Sequence, residues 1–113
     1  MITLKSQRDI KVVFNQKNRL DFEDFYTLYI KNSLGYPRFG FVASRKFFKR
    51  AVDRNRAKRL LKQTVRSAVR VYKELSYDIL FIAKVSILKK KSYHIVPEVV
   101  ESLEKIKKSC LQG

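Results

Sequence analysis

Apolar residues recur every three or four positions in three stretches of this chain and crowd into runs in the others. Over residues 4–16, Leu4, Ile10, Val13 and Phe14 keep roughly helical spacing and predict a short first helix. From about Val52 to Lys73, Leu60, Leu61, Val65, Ala68, Val69 and Tyr72 fall on one side at about 100° per residue, the mark of an amphipathic helix. A last helix is expected near 93–109, with Pro97 tolerable only in its first turn. There Glu98, Glu101 and Glu104 precede Lys105, Lys107 and Lys108, an order that suits the helix dipole. Residues 19–31 are rich in aromatic and β-branched side chains and read as extended chain bent near Glu23. "RFGFVAS" (38–44) reads as a further strand, and "YDILFIAKV" (77–85) as a strand buried on both faces. "NSLGYP" (32–37) is a turn, which makes the strands beside it antiparallel if it closes a hairpin. The expected order is α-β-β-β-α-β-α: a small α/β two-layer sandwich, one domain over 1–113, with a mixed sheet of about four strands and three helices.

Charge changes this picture. The 26 Lys and Arg residues face only 10 Asp and Glu, a formal net charge of +16. Self-repulsion on that scale destabilises a compact state, so a polyanionic partner is expected, nucleic acid before an anionic membrane. No apolar run approaches the roughly 20 residues that span a bilayer, and "MITLKSQRDIKVVF" lacks the continuous apolar core of a signal peptide. The single cysteine, Cys110, has no partner for an internal disulfide, so a cytoplasmic location is expected. Cys110 and the single histidine, His94, offer no metal-site spacing.

The positive charge gathers in "AVDRNRAKRLLKQTVR" (51–66). Arg54, Lys58, Lys62, Arg66 and Arg70 form an i,i+4 column whose four like-charge pairs cost on the order of 1–2 kcal/mol. Arg54 and Arg56 also oppose the positive end of the helix dipole. Burial of the apolar stripe offsets this, at roughly 1.5–3 kcal/mol per leucine, so a merely solvated basic face is one reading. A phosphate-binding surface is the other. It is favoured by the clustering of charge at the helix start, by Asn55 among the arginines, and by the bidentate fit of Arg to phosphate. These features do not separate RNA from DNA.

The string "RNRAKRLLKQTVR", preceded by "PRFGFVASRKFFKRAV", closely resembles the protein subunit of bacterial ribonuclease P. The matching pieces are Arg38 and Gly40, then Ser44-Arg45-Lys46, then Arg54-Asn55-Arg56 followed by Lys58-Arg59, and the strand "YDILFIAK". The resemblance implies that an RNA subunit removes the 5′ leader of precursor tRNA by hydrolysis, and that the protein alone is non-catalytic. Magnesium would then be bound mainly by RNA, with no cofactor tightly held by the protein. It also implies that the helix and its preceding loop contact the catalytic RNA, through Arg45, Lys46, Lys49, Arg50, Arg54, Asn55, Arg56, Lys58, Arg59, Lys62 and Arg66. A cleft between the first helix and the sheet, lined by Ile10, Phe14 and Tyr29, would hold the single-stranded leader. Aromatic rings there suit a substrate of any sequence, since every base has a π-face. The residues alone leave Phe14 and Tyr29 open to an ordinary core role. The family further implies a left-handed strand–helix–strand crossover, against the usual hand of such connections.

Partners expected on this reading are the catalytic RNA and the precursor tRNA leader, with no membrane and no obligate protein partner. A ribosomal or general basic RNA-binding protein is the alternative. A self-sufficient nuclease would need grouped carboxylates or a His-based acid–base pair, and the ten acids are scattered along the sequence.

Overall fold

The computed structural model describes residues 1–112, with side chains described for 1–109; Cys110 therefore lies outside the described side chains. The strands are β1 (Ile2–Thr3), β2 (Arg19–Asp21), β3 (Phe25–Lys31), β4 (Arg38–Val42) and β5 (Tyr77–Ala83). The helices are α1 (Gln7–Phe14), α2 (Ala51–Ala68) and α3 (Ser92–Gln112). Short 3₁₀ turns follow α2 at Val69–Val71 and β5 at Val85–Lys89.

Every residue of β5 is buried, and the sheet order β1-β4-β5-β3-β2 puts that strand at the centre. An apolar run of this kind needs cover on both faces and a hydrogen-bonding neighbour on both edges. β4 supplies the parallel neighbour, with Phe39 opposite Ile79, and β3 the antiparallel one, with Leu28 opposite Leu80. The turn at 32–37 is therefore not a hairpin between paired strands, because β5 lies between β3 and β4. The bend expected near Glu23 is a reversal, which pairs β2 with β3 through Leu20 and Thr27. The sheet has five strands rather than about four. The addition, β1, is a two-residue edge beside β4, too short for any alternation to announce it.

Period-two alternation divides the sheet between two cores. Phe25, Phe39, Ile79 and Phe81 face α2 and α3, where they meet Leu61, Val65, Val99, Leu103 and Ile106. Leu28, Leu80 and Ile82 face the other way and are covered by Leu4 and Val13 of the N-terminal segment. The buried hydroxyls of Thr27 and Ser102 meet at 3.0 Å, which removes an unpaired polar group from the larger core.

α2 is shorter than its periodicity predicts, since Arg70 already lies in the 3₁₀ turn. The end of that turn is tied to α3 by the Tyr72 hydroxyl, which donates to Glu104 Oε1 at 2.6 Å. Burial and that bond push the Tyr72 phenol up to about 12. α3 starts at Ser92, so Pro97 falls in the second turn rather than the first. The carbonyl it leaves unbonded belongs to Tyr93, an exposed residue that water can serve.

Candidate nucleic-acid interface

Ala57, Leu61, Thr64, Val65 and Ala68 bury one stripe of α2, and this fixes which way its cations point. Asn55, Arg56, Lys58, Arg59, Lys62 and Arg66 are all exposed. Among the described residues no ion pair involves a cation of α2. No side chain caps the helix start, and Asp53 is the one acid of its first turn. First-turn N–H groups without a side-chain acceptor favour an anion there.

Arg54 differs from its neighbours. Its Nη1 donates to the carbonyls of Phe48 (2.8 Å) and Lys49 (3.2 Å), so it braces the preceding loop instead of standing free. That loop is wound on Ser44, whose carbonyl accepts from the N–H groups of Phe47 and Phe48 and whose Oγ accepts from Lys46 N–H. Phe48 anchors it in the core, and Arg45, Lys46, Lys49 and Arg50 project from it, exposed.

The basic surface extends beyond the residues expected from sequence. A shallow pocket of about 350 Å³ unites Arg56, Arg59 and Gln63 of α2 with Lys90, Lys91 and Ser92 at the start of α3. Only the packing of α3 against α2 brings these lysines to the arginines. His94, in the first turn of α3, accepts from Lys91 N–H at its Nδ1 (3.0 Å) and caps the turn. A run of three lysines next to a helix start was the available signal for Lys90 and Lys91, though it named no partner.

A second concavity, about 370 Å³, opens on the opposite face of the sheet, lined by Phe14, Arg19, Tyr26, Val42, Phe47 and Lys84 among others. Phe14 and Phe47 are exposed, 46% and 62%, an uncommon state for two phenylalanines beside one cleft. Arg19 lies over Tyr26 with Cζ 3.8 Å from the ring centroid. Its Nε (2.7 Å) and Nη2 (3.1 Å) both donate to the Asp21 carboxylate, which keeps the guanidinium in place. The pairing holds the Asp21 carboxyl down at about 2, with Lys84 Nζ 3.1 Å away as a second cation.

Of the three residues expected in the cleft, the structure brings Phe14 there. Ile10 is partly buried against the cluster of Leu4, Val13, Leu28, Leu80 and Ile82 and is not part of the lining. Tyr29 is a correction. It packs into the opposite core and meets Tyr77 edge-on at 5.8 Å, because alternation along β3 sends 25, 27 and 29 to one face and 26, 28 and 30 to the other. Tyr26 holds the cleft position instead.

Among the described residues one carboxylate group is dense: Glu23, Asp24 and Glu98 place an oxygen each within 4.8 Å of one another. Oxygen donors of this kind suit a hard cation. Here Asp24 already accepts from Ser86 Oγ (2.9 Å), and Lys90 Nζ lies 3.7 Å from Glu23, so the group is partly neutralised from within. No helix among the described residues is long and apolar enough to cross a membrane.

This architecture has relatives. A family model described as Ribonuclease P matches residues 2–107. The chain belongs to the ribonuclease P protein family. The ribonuclease P protein component of Legionella pneumophila is 33% identical over 103 residues, covering 91% of this chain and 87% of that one. The corresponding protein of Nitrosococcus oceani is 42% identical over 71 residues, 63% of this chain and 60% of the relative's length. The solved ribonuclease P protein of Thermotoga maritima superposes with a TM-score of 0.78 at 25% identity, covering 93% of this chain and 97% of that one. The protein is thus a component of the ribonuclease P ribonucleoprotein, which processes tRNA, and it works with the ribonuclease P RNA. A ribosomal or general RNA-binding role is not favoured.

Proposed function

We propose that this ribonuclease P protein uses its two surfaces for two RNAs. The exposed cations of α2, the loop before it, and Lys90 and Lys91 dock the catalytic RNA by contacting its phosphates. The cleft beside α1 takes the single-stranded 5′ leader of precursor tRNA, with bases stacked on Phe14, Phe47 and the guanidinium plane that Arg19 lays over Tyr26. The observation that carries the reading is the division of surfaces. The exposed phenylalanines Phe14 and Phe47 share a cleft on one face of the sheet, and cations without ion-pair partners gather on the helix covering the other.

Hydrolysis on this reading belongs to the RNA, with magnesium held mainly there. The chain's own part is to bind, to orient the leader, and to lower phosphate repulsion between the two RNAs. A cytoplasmic site of action accords with that role. Reconstitution with a bacterial ribonuclease P RNA at low magnesium tests it. The protein should raise cleavage of precursor tRNA and increase affinity for substrates in proportion to leader length. Cleavage by the protein without RNA, or no leader-dependent gain, refutes it.

A further inference from the structure

The cation column of α2 does not end in open solvent. Beside Arg66 in the last turn of α2 and Arg70 in the following 3₁₀ turn, the sheet edge borders a pocket of about 340 Å³. Ile2 of β1, Tyr36 of the 32–37 turn and Val69 of the 3₁₀ turn supply apolar surface to its lining. Arg66, Arg70 and Lys73 stand around it, and no acidic residue lines it. This is a different place from the leader cleft, which shares none of these residues.

Two features are unexpected for plain surface. Ile2 and Tyr36 are both exposed, 48% and 38%, although they flank a concavity that could have been filled by closer packing. Among the described residues no other ring stacks on Tyr36. Its carbonyl, not its side chain, ties the turn down by accepting from Asn32 Nδ2 (3.2 Å). A concavity lined by apolar residues, an aromatic side chain and three cations suits an unpaired nucleotide: the base meets the apolar and aromatic lining and the flanking phosphates meet the cations.

We propose that this pocket at the β1 edge holds an unpaired nucleotide of the ribonuclease P RNA, whose backbone reaches it along the exposed cations of α2. The inference rests on the docking role proposed above for that helix. Continuity decides between RNAs: Lys62 and Arg66 lead from the RNA-docking end of α2 to Arg70 without an intervening acid, whereas the leader cleft opens on the other face of the sheet. The base in the pocket would also fix where along the duplexes of the RNA the helix sits, which phosphate contacts alone leave undefined.

The test is equilibrium binding of the full chain to ribonuclease P RNA of Legionella pneumophila transcribed in vitro, over a range of monovalent salt. Tyr36→Ala should weaken binding by roughly tenfold with an unchanged salt slope, because a stack and no cation is removed. Tyr36→Phe should restore it. Arg70→Ala should weaken binding and lower the slope by about 0.7–0.9, the share of one phosphate. Thermal melts of each variant in the absence of RNA should match the parent. Full affinity in Tyr36→Ala overturns the pocket while leaving the docking surface intact. Loss of affinity for precursor tRNA by the assembled holoenzyme, without loss for the RNA subunit, also overturns it by assigning the pocket to substrate. Failure of the unaltered protein to bind the RNA overturns the docking role itself.

Discussion

Arg38 and Asp78, neighbours across the β4–β5 ladder, form a two-bond ion pair: Nε to Oδ1 at 2.8 Å and Nη2 to Oδ2 at 2.6 Å. Asn32 Nδ2 donates to the same carboxylate (2.9 Å), and Arg38 Nη1 reaches Asp9 of α1 at 3.4 Å. One arginine thus ties β4 to β5, to the turn that follows β3, and to the first helix. The arginine that carried part of the family resemblance is paired within the fold, unlike the exposed cations of α2.

Removing its partner should be costly. Asp78 is 7% exposed, and Asp78→Ala strands both Arg38 and Asn32. Breaking a well-buried pair costs about 3–5 kcal/mol, and the partial exposure of Arg38 lowers the expected loss to roughly 2–4 kcal/mol. Urea unfolding should show the midpoint falling while the m-value holds. A change under about 0.5 kcal/mol, the usual range for surface substitutions, would show the pair to be ornamental.

Tyr26 and Tyr29 should separate by phenotype. Tyr26→Ala removes a ring that lines the cleft and only flanks the smaller core, and should reduce affinity for leader-bearing precursor tRNA by about 5- to 150-fold, leaving mature tRNA binding intact. Tyr29→Ala removes a ring packed against Tyr77 and the larger core, so it should lower thermal stability first. Leader-length series measured with both variants decide this. The opposite pattern would mean that β3 presents its other face.

Arg56 and Arg59 should separate from Arg54 in the same way. Alanine at both exposed positions should weaken binding to the catalytic RNA and flatten its salt dependence by about 0.7–0.9 for each phosphate no longer neutralised. Arg54→Ala frees the carbonyls of Phe48 and Lys49 and should loosen the 44–50 loop, visible as faster amide exchange there. If the double variant kept the parent's salt slope, the exposed face would be merely solvated.

Glu98 should make stability pH-dependent. Burial, then Asp24 and Glu23, hold its carboxyl above the ordinary glutamate range, while a Glu23 backbone bond and Lys90 oppose the shift. Its Oε2 is buried without a hydrogen-bond partner. A carboxyl raised by folding favours the native state while protonated. That benefit is complete below the unfolded value and fades as pH rises through the folded one. Glu98→Gln should therefore raise the melting temperature at pH 7, and the gain should shrink toward pH 4. A gain that stays constant with pH would attribute it to packing alone.

Much of this molecule is legible along the chain because helical and strand periodicities are local. The apolar stripe of α2 orients its cations wherever that helix docks, and the fully apolar run of β5 demands a central place. The aromatic stretch at 19–31 marked strand correctly but left its two faces unassigned. A period of two says that Tyr26 and Tyr29 part company, and only the pairing of β3 with β5 says which of them meets α1. Arg19 gave no signal at all, since its position over Tyr26 depends on the β2–β3 reversal.

By itself, then, the sequence determined the helices, the central strand, the surplus of cations and the family, because each rests on residues close together in the chain. The tertiary structure decided what distant residues share. It set β5 between β3 and β4, turned Arg54 inward to brace a loop, carried Lys90 and Lys91 to Arg56 and Arg59, and brought the β1 edge beside Arg70. These outcomes follow from how sheet and helices bury their apolar faces together, a requirement no single segment can satisfy alone.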